Sequence, residues 1–206
     1  MKVLLINGSP NPKGNTARSL EEMEKVFHSE GIETEIVTIG NRPIRGCIAC
    51  MKCKKPEGGC VFDDGLNEIA EKFRQADGLV VGSPVYYASA NGTLISLLDR
   101  LFYSTTFDKT MKVGAAVSVA RRGGQTTTYD ELHKYFGISG MPIASGQYWN
   151  GVHGSRPGEA GQDVEGMQQM RTLAQNMAFL MKSIALGKEK YGMPVKEPFE
   201  RMNFIR

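Results

Sequence analysis

Residues 1–31 read MKVLLINGSPNPKGNTARSLEEMEKVFHSEG, and they begin a pattern that the rest of the chain repeats. Residues 3–6 form a short run of Val, Leu and Ile ended by Asn7-Gly8, which is typical of a strand buried on both faces of a parallel sheet. Apolar residues then recur at helical spacing until Gly31 interrupts them, at Ala17, Leu20, Met23, Val26 and Phe27. The stretch therefore predicts a strand, a loop and a helix in that order.

The same alternation continues along the chain. Further strands are predicted where short β-branched or alternating runs occur, at residues 33–39, 79–81, 113–120 and 143–149, and Gly82-Ser83-Pro84 ends the third strand. Helices are predicted around residues 66–73, 94–102 and 129–136, and from 164 to a stop at Gly187. Asp63 or Asp64 caps the first of these helices. Five repeats predict an α/β fold with a parallel sheet and helices on both faces, because right-handed crossovers place helices there.

The composition fits one domain. The chain has 206 residues, of which 41% are hydrophobic, and this is enough for one substantial core. We expect the domain at residues 1–187, with a cysteine-rich insertion at 41–62 and a C-terminal tail at 188–206 that frays or clasps a partner subunit. Residues 150–163 contain four Gly and one Pro, which predicts a structureless loop with a functional or mobile role.

The charge distribution excludes some classes of partner. The net charge is +3, with basic and acidic residues intermixed, so no basic face indicates binding of nucleic acid. The first apolar run has only four residues, which is far too short for a secretory signal or a membrane span. We therefore expect a cytoplasmic protein that binds neither nucleic acid nor membrane.

The loop at residues 8–16, GSPNPKGNT, lies between the first strand and the N-terminus of its helix. Backbone N–H groups and the positive end of the helix dipole predict an anion site there, with phosphate as its natural occupant. The loop contains neither GxxxxGK[ST] nor GxGxxG, which argues against a nucleotide triphosphatase and a typical dinucleotide fold. Two interpretations stay open: a phosphomonoester held by backbone amides with Ser9, Asn15 and Thr16, or an ordinary turn in which Asn15 or Thr16 caps the helix.

Two further loops belong to the same sheet edge, because ligands of open α/β sheets bind outside the carboxyl ends of the strands. The loop at 83–92 carries adjacent tyrosines, Tyr86 and Tyr87, which either stack beside a flat ring or seal the edge of the core. The loop at 120–125 has glycines that permit close backbone approach and two arginines that either face a ligand or lie on the surface. Together the three loops predict a phosphorylated planar ligand.

Four cysteines stand within fourteen positions, as Cys47-x2-Cys50-x2-Cys53-x6-Cys60. In a reducing compartment this indicates a metal or redox site rather than disulfides. Closely spaced thiolates and a fourth from a downstream turn can wrap a [4Fe-4S] cluster, whereas structural zinc usually takes two separated Cys-x2-Cys pairs. Cluster, zinc and free thiols stay open as alternatives. The neighbouring Lys52, Lys54 and Lys55 either dock an acidic electron carrier or are solvated surface charge.

These stretches resemble the NADPH-dependent FMN reductase family of flavodoxin-like proteins and, within it, the iron-sulfur flavoproteins. The resemblance lies in KVLLINGSPNPKGNT at 2–16, GCIACMKC through CVFDD at 46–64, and GSPVYYASANGTLISLLDRL at 82–101. It implies a flavodoxin-like fold whose five parallel strands have the order 2-1-3-4-5. It also implies FMN as cofactor, NAD(P)H as electron donor and a [4Fe-4S] cluster on Cys47, Cys50, Cys53 and Cys60.

By this resemblance the first loop contacts the FMN phosphate, residues 84–87 flank the isoalloxazine and residues 120–124 line its far edge. The implied cofactor-binding residues are Ser9, Asn11, Lys13, Gly14, Asn15, Thr16, Pro84, Val85, Tyr86, Tyr87, Asn91, Ala120, Arg121, Arg122, Gly123 and Gly124. No catalytic side chain is predicted, because the flavin itself carries the redox chemistry.

Three functions fit these patterns. The leading hypothesis is an FMN-dependent enzyme that oxidises NAD(P)H and passes electrons to a small molecule, such as a quinone or nitro compound, or to a protein. The second is a non-enzymatic carrier that relays electrons between protein partners such as ferredoxin. The third is a flavin-binding redox sensor. The resemblance and the Met-rich closing helix further indicate a homodimer or homotetramer.

Overall fold

The computed structural model describes residues 1–198, 200 and 202, and its centre is a parallel sheet. The strands in this part of the chain are β1 (Lys2–Asn7), β2 (Glu33–Thr38), β3 (Gly78–Tyr86), β4 (Ser89–Ala90), β5 (Val113–Ala120) and β6 (Gly151–His153). Five of them pair in parallel in the order β2-β1-β3-β5-β6, and β4 pairs antiparallel with β3. Counting the parallel strands alone, this is the order 2-1-3-4-5, so the predicted topology is confirmed.

Helices cover both faces of the sheet, as predicted. They are α1 (Asn15–Ser29), α2 (Leu66–Gln75), α3 (Gly92–Ser104), α4 (Gln125–Ile138) and α5 (Val164–Tyr191), with short 3-10 helices at Lys52–Lys54 and Glu159–Gln162. Two separate cores result: α1 and α5 pack on one face, and α2, α3 and α4 pack on the other. Neighbouring strand residues such as Leu79 and Val80 belong to different cores, because side chains along a strand alternate between its faces.

The third strand is longer than predicted. Instead of ending at Gly82-Ser83-Pro84, β3 continues to Tyr86. β5 pairs with it as far as Pro84, and β4 then folds back onto its last two residues. The ladder hydrogen bonds of β5 and β4 thus extend the strand past a Gly-Ser-Pro sequence that usually marks a break.

The predicted last strand at residues 143–149 is wrong in position. Within this segment Ile143 forms an isolated bridge with Gly114 of β5, and the last strand is Gly151–His153. The N–H groups of Gln147 and Tyr148 donate instead to the side chain of Gln169 on α5, at 3.2 and 3.1 Å. These two N–H groups are therefore not available to pair with β5.

The closing helix runs past its predicted stop. Gly187 lies inside α5, where a glycine costs only about 1 kcal/mol relative to alanine. The helix ends at Tyr191, and Gly192 follows with a φ of +74°, which favours glycine. The first four residues of the predicted tail are therefore helical. The predictions for residues 199, 201 and 203–206 lie outside the described residues.

Two local predictions also change. Residues 150–163 are not a structureless loop, since they hold β6 and the 3-10 helix Glu159–Gln162. Neither Asp63 nor Asp64 caps α2, because Gly65 takes the N-cap position and the carboxylate of Asp64 pairs with Arg100. No helix in the described part of the chain combines the length and apolar character that a membrane span needs.

Candidate functional site

A cavity of about 280 Å³ opens at the carboxyl ends of β1, β3 and β5. Three predicted loops and one further segment line it, with the residues Ser9, Asn11, Gly14, Asn15, Thr16, Pro84, Val85, Tyr86, Val119, Ala120, Arg121, Gly154, Ser155 and Pro157. Among these residues Arg121 is the one charged side chain, and none is a carboxylate. The lining therefore suits an anionic or neutral ligand rather than a cation.

The first loop arranges its own backbone before any ligand binds. The side chain of Asn7 accepts from the N–H of Ser9 at 3.1 Å, and the hydroxyl of Ser9 accepts from the N–H of Asn11 at 3.1 Å. The loop is also tied to β3, because the N–H of Gly8 donates to the carbonyl of Gly82 at 2.8 Å. These bonds set the path of the chain into α1.

The N-terminus of α1 leaves donors for a ligand. Its first backbone bond runs from the N–H of Arg18 to the carbonyl of Gly14, so the N–H groups of Asn15, Thr16 and Ala17 have no partner within the helix. Gly14 is the N-cap and supplies no side-chain cap, and the first turn holds no acidic residue. Free amides at the positive end of a helix dipole are an anion site. Neither Asn15 nor Thr16 is the N-cap, so the predicted cap assignment is wrong.

The second wall is the end of β3 and its hairpin. Tyr87 and Ala88 form the turn with positive φ values of +52° and +58°, which are unfavourable for residues with side chains. Other elements hold the turn: the hydroxyl of Thr127 donates to the carbonyl of Ala88 at 2.6 Å, and Glu131 accepts from Ser89 and Ala90, both at 2.8 Å. The half-exposed Tyr86 is thereby positioned along the cavity, while Tyr87 points fully into solvent.

The third wall comes from a segment whose residues sequence reasoning did not assign. β6 pairs with β5 as far as His153, and the N–H of Gly154 then donates to the carbonyl of Ala120 at 3.0 Å. Asn15 joins this wall to α1, because its side-chain oxygen accepts from the N–H of Ala160 at 3.1 Å. Gly154 packs tightly there, since a Cβ on it would lie 2.7 Å from Asn15. The Gly- and Pro-rich composition of residues 150–163 was the signal that pointed to this wall.

Glu159 shapes the same wall. Its carboxylate accepts from the N–H groups of Ser155 and Arg156 at 2.8 and 2.9 Å and so closes the turn beside the cavity. The hydrogen bond from Arg156, followed by that from Ser155, holds the pKa of Glu159 below its ordinary value of 4.5. Glu159 is thus ionised at neutral pH while it holds this turn.

A second pocket collects all four cysteines. Cys47 and Cys50 are exposed, Cys60 is half-buried and Cys53 is buried, and no disulfide joins any of them. They line the pocket together with Met51, Phe62, Tyr103, Ser104, Arg100 and other neighbours. The N–H of Ala49 donates to Cys47 Sγ at 3.4 Å. In the part of the chain that the structure describes, no group of three or more His, Cys, Asp or Glu is arranged around a single metal ion.

The chemistry of this pocket nevertheless fits a larger group. Four thiolates are the ligand set of a [4Fe-4S] cluster, and all four cysteines line this one pocket. The hydroxyl of Ser104 and Nε of Arg100 are buried without a hydrogen-bond partner, and both residues line the pocket. Unpartnered buried donors beside four sulfur ligands fit a bound group that accepts hydrogen bonds.

Comparison with known proteins decides the family. A family model described as NADPH-dependent FMN reductase matches residues 1–155. The chain belongs to the NADPH-dependent FMN reductase family. It is 36% identical to an iron-sulfur flavoprotein of Methanocaldococcus jannaschii over 192 residues, covering 89% of this chain and 99% of that protein. It is 34% identical to an iron-sulfur flavoprotein of Methanosarcina thermophila over 194 residues, covering 92% and 100%.

Solved structures share this fold. A solved archaeal flavodoxin superposes with a TM-score of 0.60 at 16% identity, covering 88% of this chain and 99% of that one. The predicted family, its iron-sulfur flavoprotein subgroup and the flavodoxin-like fold are therefore confirmed. As a member of the FMN reductase family, the chain is a flavin oxidoreductase.

Ten of the sixteen residues that the resemblance implied for FMN lie in the cavity lining; the other six are Lys13, Tyr87, Asn91, Arg122, Gly123 and Gly124. Asn91 has a structural role, because it caps α3 through the N–H of Thr93 and donates its amide to the carbonyl of Gly8 at 2.7 Å. Gly124 has a positive φ of +91° and allows close packing of the hairpin, since a Cβ on it would lie 2.7 Å from Ala88.

The buried Arg100 was not singled out from the sequence. It is 1% exposed, its Nη1 donates to Cys60 Sγ at 3.3 Å, and its Nη2 pairs with the carboxylate of Asp64. Burial disfavours the charge, but the hydrogen bonds to Asp64 and Cys60 outweigh it, so the pKa of Arg100 lies above its ordinary value. The available signal was an arginine in a mostly apolar helical stretch at 94–102, which also contains Ser96 and Asp99.

Proposed function

We propose that this protein is an FMN-dependent NAD(P)H oxidoreductase that passes electrons to a small-molecule or protein acceptor. The observation that carries the proposal is the cavity at the strand ends, where free helix amides meet a lining without carboxylates. A phosphorylated flavin needs an anion site next to a cleft for its ring, and the cavity places the N-terminus of α1 beside the ends of β3 and β5.

Each wall has its own part in holding FMN. The amides of residues 15–17, with the hydroxyls of Ser9 and Thr16, would hold the phosphate, and backbone groups at 84–86 and 119–121 would flank the ring. Residues 154–157 would limit access of water from the open side. When bound, FMN supplies the hydride and electron chemistry between NAD(P)H and the acceptor, which is why the protein needs no acid or base pair.

The four cysteines would hold a [4Fe-4S] cluster, which supplies one-electron transfer. In that role the buried Cys53 would hold the group from the inner side, and the exposed Cys47 and Cys50 would hold it from the surface side. Asn67 fixes the fourth ligand, because its amide accepts from the N–H of Cys60 at 2.8 Å and donates to its carbonyl at 3.0 Å.

The test is FMN binding and reduction in protein purified without oxygen. Yellow protein that takes up FMN at micromolar concentration and bleaches rapidly with NADPH supports the proposal; failure to bind FMN contradicts it.

Thr16→Val removes a hydroxyl from the phosphate site with little change in shape, and we expect roughly tenfold weaker FMN binding. Thr93→Val is the matched control, since Thr93 lies in the first turn of α3 outside the cavity lining, and it should bind FMN normally.

A second candidate is a non-enzymatic electron carrier, favoured by the collection of all four cysteines in one pocket near the surface. Bleaching by reduced ferredoxin but not by NADPH would support the carrier over the enzyme. The exposed Lys52, Lys54 and Lys55 are the proposed docking patch for such an acidic partner. We also propose that the protein is cytoplasmic and forms a homodimer or homotetramer. Light scattering of the purified protein tests its oligomeric state.

A further inference from the structure

The cysteine pocket borders a buried positive charge. Arg100 is among the largest fully buried side chains of the protein, and it reaches the pocket from α3. One terminal nitrogen donates to Cys60 Sγ at 3.3 Å, and the other pairs with Asp64. The guanidinium also lies 5.2 Å from the centre of the Phe62 ring, another lining residue. A charge in this position acts on the pocket with little screening by water.

Unpartnered polar atoms gather at the same place. In the part of the chain that the structure describes, five buried side-chain atoms lack a hydrogen-bond partner, and three of them are Asp64 Oδ1, Arg100 Nε and Ser104 Oγ. Arg100 and Ser104 are four residues apart on α3, so they share one helix face, and both line the pocket. An unpaired buried donor costs free energy, so the unpartnered donors of Arg100 and Ser104 indicate that the pocket's occupant accepts hydrogen bonds.

We propose that Arg100 is a positioning residue that holds Cys60 and sets the charge balance of the pocket, raising the reduction potential of the group that the cysteines bind. The inference rests on the proposed function of the cysteines. Uptake of one electron makes the pocket more negative by one charge while Arg100 stays protonated, so its cation favours the reduced form over the oxidised form. Asp64 carries the opposite charge and lowers the same potential.

The experiment is an anaerobic titration with dithionite as electron donor, with the reduced pocket followed by electron paramagnetic resonance. Arg100→Met should lower the equilibrium constant for one-electron reduction at least about tenfold, which is 59 mV. Asp64→Asn should shift the potential upward. Arg100→Lys keeps the charge and should recover most of the wild-type potential, although it cannot donate to Cys60 and Asp64 with the same geometry.

Arg100→Met leaves the buried carboxylate of Asp64 without its partner and can fail to fold. The double variant R100M/D64N avoids this problem, because it removes both charges. Its potential should lie at least about 59 mV, or tenfold in the reduction constant, below that of D64N, and because both proteins lack the carboxylate of Asp64, the difference measures the arginine alone. Arg171→Met is the matched control for a lost charge, since Arg171 pairs with Glu22 on the opposite face of the sheet.

Iron and sulfide assays distinguish a failure of the proposed function of the cysteines from a failure of the proposed role of Arg100. Wild-type protein without iron would refute the proposed function of the cysteines and this inference with it. Iron-bound protein in which D64N and R100M/D64N differ less than about threefold in the reduction constant would overturn the role of Arg100 alone. An equal shift in R171M would also overturn it, because the effect would then come from net charge and not from the position of Arg100.

Discussion

Two turns of this molecule carry the same kind of backbone strain and are supported in different ways. The hairpin at the cavity proposed to bind FMN, called the flavin cavity below, has positive φ values at Tyr87 and Ala88, and the cysteine loop has them at Ala49 (+52°) and Met51 (+59°). None of these residues is glycine, and each such conformation costs about 1 kcal/mol or more. Strain of this kind persists only where the surroundings over-determine the backbone.

The hairpin receives its support from other elements. Thr127 and Glu131 on α4 bind three backbone or side-chain groups of residues 88–90, and the backbone of Gly124 packs directly against the turn. Together with the self-bonded first loop, this makes the flavin cavity a preformed site. We therefore expect its walls to keep their arrangement with or without a ligand.

The strained residues of the cysteine loop, Ala49 and Met51, receive little support from other elements among the described residues. The N–H of Ala49 bonds to Cys47 within the loop itself, and Met51 receives a contact from the Tyr103 hydroxyl through its sulfur at 3.5 Å. Ile48 and Met51 are about half exposed. Under the proposed function the bound group supplies the missing constraint, so the comparison predicts one site built by the fold and one completed by its occupant.

The largest expected effect comes from removing that occupant. Cys53→Ser replaces the buried thiolate by a poor iron ligand, and we expect loss of most iron and sulfide with FMN content unchanged. Amides of residues 47–54 should then exchange hydrogen roughly 100-fold faster, while those of 86–90 stay as in the wild type. Equal loosening of both turns, measured by exchange and mass spectrometry, would refute the comparison.

The reciprocal change belongs to the flavin side. A Cβ on Gly8 would lie 2.5 Å from Leu94 and 2.8 Å from the carbonyl of Gly82, so Gly8→Ala must displace the first loop from β3. We expect roughly 100-fold weaker FMN binding by fluorescence titration, with iron content unchanged. Gly92→Ala is the matched control, because nothing lies within 4 Å of its Cβ. Loss of iron in G8A would mean that the two sites are not independent.

The same contrast explains what could be predicted from sequence. The first strand, its loop and α1 follow from periodicity over thirty residues, and the cysteine motif is equally local, so both were found. The wall at 154–157 depends on the pairing of β6 with β5 and on the bond between Asn15 and Ala160, 145 residues apart. Arg100 likewise meets Asp64 across 36 residues. Local patterns do not encode such contacts, and these were the parts that sequence reasoning missed.

The smallest expected effect measures how much one side chain contributes to the preformed cavity. Glu159→Gln weakens the turn at 155–159, and we expect roughly two- to fivefold weaker FMN binding at pH 7. Because the pKa of Glu159 is lowered on folding, its contribution is complete above about pH 4.5 and is lost as the pH falls through its lower value in the folded protein.

The ratio of the wild-type and E159Q dissociation constants should therefore be constant from pH 7 to 5 and approach one in stronger acid. Taking the ratio cancels the titration of the flavin phosphate itself, which occurs near pH 6 as in other phosphomonoesters. Glu33→Gln makes the same chemical change at an exposed position on β2 and should give a ratio of one throughout. A ratio for E159Q that stays at one at pH 7 would mean that the cavity wall keeps its shape without this carboxylate, and that the flavin site is even more completely preformed than the contacts of Glu159 imply.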